Sequence, residues 1–144
     1  MLRRRRIPLT PALAAATPAL AVGQAIGRIG CFLVGDDYGR ATDLPWGIAF
    51  PEGLPPTTVP VHPTQLYESA ALLAIAWMLL RWRRQRVSDV VIVGRYCILA
   101  GGLRFLIEFV RVNVRVVGPF TVAHLVSLAL ACVGIVLLWQ RRHD

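Results

Sequence analysis

What most limits this chain is a succession of apolar runs, each about as long as a bilayer is thick, separated by clusters of arginine. A helix needs roughly 20 mostly apolar residues to cross a hydrocarbon core. Four segments approach that length, at residues 9–33, 66–82, 90–109 and 120–139. The fourth is the cleanest, with His124 as its only ionisable residue. The second is short, and the third carries Arg95, Arg104 and Glu108. Composition agrees: 56% of the 144 residues are apolar, and mean hydropathy is +0.56. The predicted fold is an all-α integral membrane protein. It forms one membrane domain over residues 1–144, with about four transmembrane helices and a long Pro/Gly-rich outer loop at 35–65.

The charges refine this picture. All sixteen basic residues are arginine, against eight acidic residues, for a net charge of +8. A basic chain of this kind invites nucleic-acid binding. These arginines instead flank or interrupt apolar runs and form no polar basic face, which excludes that class and points to membrane topology. Arg3 to Arg6 precede the first segment, Arg81, Arg83, Arg84 and Arg86 follow the second, and Arg141 and Arg142 follow the fourth. Four spans with both termini cytoplasmic place all three clusters on one side. Loop 35–65 and the turn at 112–119 then face outward. The loop carries Asp36, Asp37, Asp43 and Glu52 against Arg40 alone. A cleaved signal peptide is the competing reading of the N-terminus, with Ala19-Leu20-Ala21 as its site. Pro11 and Pro18 interrupt its core and the apolar run continues to Phe32, so a retained first span is expected.

The loop contains Pro45, Pro51, Pro55, Pro56, Pro60 and Pro63, which oppose helix. It is long for a plain connector, and Trp46, Phe50 and Tyr67 suit a membrane interface. Ionisable groups at membrane depth are costly, so they mark function or a partner. Arg104, Glu108 and Arg111 stand at i, i+4 and i+7, one helix face, where Glu108 can pair with both arginines. Such a face is either a structural ion-pair strip or an anion site. Arg28 adds a third arginine at the same expected depth, with few carboxylates nearby. Arginine's planar fork suits phosphate, and phospholipid phosphate is the natural anion there. His62, Gln65, Tyr67 and Glu68 lie where the loop enters the second segment. "HPTQLYE" reads as a helix start, with Pro63 in the first turn and Thr64 as cap. His124 reads as a bundle-interface residue. Cys97 and Cys132 read as buried, inert thiols, and no zinc-type spacing occurs. Nothing calls for a metal or an organic cofactor. A transporter should show repeated halves, and no internal repeat is present.

Three ordered stretches, "GRIGCFLVGDDYGRATDLPWGIAF", "HPTQLYE" and "GGLRFLIEFVR", resemble the prolipoprotein diacylglyceryl transferase family. The resemblance implies a multi-pass protein of the bacterial inner membrane with its active face towards the outer leaflet. Its substrates would be phosphatidylglycerol and the lipobox cysteine of a prolipoprotein. The thiol would take the diacylglyceryl group and glycerol phosphate would leave. Arg28 stands at the family's essential arginine, Gly39 at its signature glycine and Asp36 where glutamate is usual. Arg104 matches the second essential arginine, followed by Glu108 and Arg111 in the family's spacing. The implied catalytic residues are Arg28 and Arg104. The implied substrate-binding set adds Asp36, Gly39, His62, Gln65, Tyr67, Glu68, Glu108 and Arg111. The departures are Cys31 and Val34 where asparagines are usual, and Ala100 where a tyrosine is usual. Only the C-terminal four of about seven spans are matched, and the family's His-Gly-Gly motif is missing. That leaves a truncated enzyme, a chain that needs a partner supplying the other spans, or an inactive lipid-binding homologue. Cys31 is either a small replacement for asparagine or a new nucleophile.

Overall fold

The computed structural model describes residues 8–111 and 121–143, excepting the side chains of 141–143. Arg3 to Arg6, the turn at 112–119 and Phe120 lie outside the described residues, as do the side chains of Arg141 and Arg142. The elements are helix α1 (Leu9–Val34), strands β1 (Ile48–Phe50) and β2 (Thr57–Val61), and helices α2 (Thr64–Arg84), α3 (Asp89–Glu108) and α4 (Val122–His143). The chain is mostly helical, as expected. The two strands pair antiparallel within the loop, an element that the proline-rich composition conceals.

Each helix end has a local cause. α1 stops at Gly35, whose left-handed backbone (φ 75°) lets its N–H and that of Asp36 both donate to the Cys31 carbonyl. A side chain at Gly35 would also strike the Gly53 backbone. α2 starts at Thr64, but Thr64 does not cap it. Pro63 holds the cap position, and the Thr64 hydroxyl donates to the Asp37 carbonyl at 3.0 Å. α2 and α3 are joined by a tight turn, across which Arg95 stacks on Trp82 at 4.4 Å.

Neighbouring helices run antiparallel. Ser69 donates to the Ala25 carbonyl and Arg83 to that of Ala14, which fixes α2 against α1. α3 and α4 pack backbone to backbone through small residues, as membrane helices do. A Cβ on Gly101 would lie 2.7 Å from the Ser127 carbonyl, and one on Gly134 would lie 2.5 Å from that of Gly94.

Unlike a water-soluble bundle, the helices expose large apolar side chains as well as burying a core. α2 buries Gln65, Glu68, Ser69, Leu72, Ile75, Ala76 and Leu79, an inward stripe at helical spacing. Large apolar side chains point outward, among them Leu20, Ile26 and Leu33 on α1 and Leu125, Val133 and Val136 on α4. α1, α3 and α4 are long and apolar enough to cross a membrane. α2 falls short because polar residues open it and Arg81, Arg83 and Arg84 close it. Cys97 is buried, whereas Cys132 is exposed on α4, against expectation. Along its apolar stretch α4 buries His124 and Ser127 and turns Cys132 outward.

Candidate functional site

The site begins with a backbone junction. The Gly39 N–H donates to the His62 carbonyl at 2.8 Å, His62 N–H to Arg40 at 3.0 Å, and Arg40 N–H to the Val110 carbonyl at 2.9 Å. Segment 39–41 is thereby stitched between the end of β2 and the end of α3. Gly39 must be glycine here: a Cβ would lie 2.8 Å from both His62 Cβ and Thr64 Cγ2 and 3.1 Å from the Val110 carbonyl. This stitching brings Arg111 alongside Asp37, and the two form an ion pair.

From that pair an alternating row of charges crosses the bundle. Asp37 Oδ2 meets Arg28 Nη1 at 3.0 Å. Arg28 Nε meets Glu68 Oε2 at 2.8 Å. Glu68 Oε1 meets Arg104 Nη1 at 3.1 Å, and Arg104 Nη2 meets Glu108 Oε2 at 3.3 Å. Glu108 Oε1 then accepts a hydrogen bond from the Thr121 hydroxyl at 2.7 Å, at the foot of α4. Thr121 also contacts His124, whose buried ring packs edge-on against Phe105 and Phe109. The bundle-interface reading of His124 fits this position. Glu68, Glu108 and Arg111 are buried, while the Arg28 and Arg104 side chains remain 22% and 31% exposed.

Two sequence expectations need correction. The three arginines face three carboxylates, Asp37, Glu68 and Glu108, so the row is neutral when all are ionised. The ion pair recorded for Arg111 is with Asp37, because α3 ends at Glu108 and the i+7 alignment is lost beyond it. Asp36 is not in the row. Its carbonyl accepts from Gln65 Nε2 at 2.6 Å, while Asp37, held in a left-handed conformation (φ 58°), presents the carboxylate to the arginines. His62 and Tyr67 form a second group: Tyr67 Oη contacts His62 Nδ1 at 3.3 Å and accepts from Trp46 Nε1 at 2.8 Å.

Arg28, Glu68 and Arg104 form the polar end of a cavity of about 180 Å³ lined from all four helices. Its walls include Leu72, Leu103, Val126 and Leu130, with Gln24, Tyr96 and Ser127 as further polar groups. Gln24 lies one turn before Arg28 and Tyr96 two turns before Arg104, so helical periodicity alone would have aligned them with the arginines. Asp37 carries no such signal. A guanidinium has five N–H donors. Only two nitrogens each of Arg28 and Arg104 are engaged by carboxylates, so donors remain for an anion at the head of an apolar cavity. Cys31 Sγ and carboxylate oxygens of Asp36 and Asp37 lie within 4.8 Å of one another, which is metal-ligand spacing. The two arginines on Asp37 oppose a cation there.

A family model described as prolipoprotein diacylglyceryl transferase matches residues 1–140. Among curated relatives, the phosphatidylglycerol–prolipoprotein diacylglyceryl transferase of Pseudomonas entomophila is 36% identical over 131 residues, covering 85% of this chain and 48% of the relative. Those of Geobacter sulfurreducens and Finegoldia magna are 38% and 40% identical, covering 83% of this chain and 47% and 46% of their own lengths. The chain therefore spans about half the length of the curated relatives it matches.

Proposed function

The chain belongs to the prolipoprotein diacylglyceryl transferase family, and from that premise we propose that it transfers the diacylglyceryl group of phosphatidylglycerol to a lipobox cysteine, releasing glycerol phosphate. The observation that carries this is the Arg28–Glu68–Arg104 bridge at the polar end of an apolar cavity. The lipid phosphate would take the spare N–H groups of Arg28 and Arg104, and Leu72, Leu103 and Leu130 would meet the acyl chains. The cysteine thiolate, the reactive form, attacks the glycerol carbon that bears the phosphate. A C–S bond forms, the C–O bond breaks, and the phosphate leaves with the electron pair. Charge grows on the leaving oxygen, where fixed guanidinium donors are most effective.

The other matched residues support this end of the cavity. Glu68, Glu108 and Asp37 hold the arginines, and Arg111 anchors Asp37. Gly39, Gln65 and Asp36 fix the loop against α2, while His62 and Tyr67 shape it for the incoming peptide. Cys31 faces Asp36 and Asp37, which oppose a thiolate, so it serves as a small replacement and not as a nucleophile.

The proposed arrangement is one membrane domain of four spans, with α2 crossing as a span sheltered between α1 and α3. Arg83 and Arg84 mark the cytoplasmic end, and the acidic loop faces outward in the inner membrane. The chain spans about half the length of its relatives, and a partner chain supplying further spans belongs to the proposal. A second reading, favoured by the same arginine-headed cavity, is a homologue that binds phospholipid without transferring it. Purified protein incubated with phosphatidylglycerol and a lipobox peptide separates the two by the peptide's mass. Transfer that disappears in Arg28→Ala and Arg104→Ala supports the enzyme. Lipid binding without transfer supports the second reading, and a fully active Arg104→Ala protein refutes the shared phosphate site.

A further inference from the structure

The polar lining of the cavity continues below the arginines. α1 and α3 run in the same direction, both antiparallel to α2. Gln24 therefore lies one turn, about 5.4 Å, below Arg28, and Tyr96 approaches it from α3. Both line the cavity, and the Tyr96 hydroxyl donates to Gln24 Oε1 at 3.2 Å. This bond engages the amide oxygen and aims the amide, leaving Nε2 with two N–H donors. Among the described residues Nε2 has no hydrogen-bond acceptor. Gln24 is exposed at the edge of the cavity, whose lining also includes Leu72, Leu103 and Leu130. Where Gln24 faces out of the protein, a bilayer offers hydrocarbon and not water, so an unused N–H there is costly.

A phosphate clamp with an amide donor one turn deeper, in apolar walls, has the spacing of groups in a glycerophospholipid. The ester carbonyls of such a lipid lie a few bonds below its phosphate, at the head of the acyl chains. We infer that Gln24, oriented by Tyr96, donates a hydrogen bond to an acyl-ester carbonyl of the bound lipid and so selects ester-linked over ether-linked glycerophospholipid. This rests on the lipid site proposed above. An ether lipid has the same phosphate and chains but no carbonyl, so it would leave the amide donor unsatisfied.

The test is a binding titration of the purified chain in detergent, using diacyl phosphatidylglycerol and its dialkyl ether counterpart of equal chain length. The wild-type protein should favour the diester by about tenfold, the scale of one amide donor left unpaired. Gln24→Leu should bring the diester down to the affinity of the diether while leaving the diether unchanged, which also shows that the variant is folded. Tyr96→Phe, which frees the amide to turn, should reduce the preference partway. Arg28→Ala should weaken both lipids equally. Equal wild-type affinity for the two lipids would overturn the inference while leaving the phosphate site standing. A preference that survives in Gln24→Leu would overturn it as well. Binding of neither lipid would remove the proposed lipid site and this inference with it.

Discussion

Replacing Glu68 by glutamine should move stability and lipid binding in opposite directions. The Glu68 side chain is 5% exposed and meets Arg28 at 2.8 Å and Arg104 at 3.1 Å. Glutamine keeps the shape and removes the charge. Stranding one partner of a buried ion pair costs about 3–5 kcal/mol. Here Arg28 keeps Asp37, Arg104 keeps Glu108, and both guanidinium side chains are partly exposed. The expected loss is therefore about 1–2 kcal/mol. Binding moves the other way, because the row of three arginines and three carboxylates changes from neutral to +1. A phosphate on Arg28 and Arg104 would sit about 7 Å from Glu68, where an effective dielectric near 20 makes the repulsion about 2 kcal/mol. Salt screening reduces this to about 1 kcal/mol, or roughly fivefold tighter phosphatidylglycerol binding. The chain has four tryptophans, so intrinsic fluorescence in detergent can follow both melting and lipid titration. The expected result is a lower melting temperature with higher lipid affinity, the affinity gain shrinking as salt rises. Lipid binding weakened as far as in Arg28→Ala, at unchanged melting temperature, would refute the assignment of Glu68 as a brace and of the arginines as the phosphate site.

Other substitutions probe the frame around the row. Asp37→Asn should destabilise by about 1 kcal/mol, because Arg111, whose side chain is 5% exposed, loses its carboxylate while the asparagine keeps the left-handed backbone; Asp36→Asn should leave the row whole, and thermal melts of the pair test the difference. Gly39→Ala should cost about 1–3 kcal/mol through contact with His62, Thr64 and Val110, and limited proteolysis should then cut the loop faster. Gly101→Ala should lower the melting temperature by forcing α3 from α4, whereas Gly102→Ala, with nothing within 4 Å of the added carbon, should hold or raise it through better helix propensity.

The helices were legible because a membrane imposes a length that composition reveals. The runs at 9–33, 66–82 and 90–109 lie almost where α1, α2 and α3 stand. Arg104 and Glu108 were legible as a pair because four residues is one helical turn. The small sheet was not, since its prolines oppose regular structure in any local reading, while pairing across the hairpin is a tertiary matter.

The site shows the same division more sharply. The sequence alone determined that Arg28, Arg104 and Glu108 carry charge into apolar runs, that Arg111 follows at helical spacing, and that Glu68 stands where the loop enters the second segment. Only the tertiary structure decided who pairs with whom. Glu68 reaches Arg28 and Arg104 across 40 and 36 residues because α2 turns its polar stripe inward between α1 and α3. Asp37, which no motif singled out, joins the row through its left-handed backbone at the end of α1. Periodicity fixes the faces of a single helix, but the rotation of one helix against another depends on the packing of all of them, and that rotation is what assembles the row.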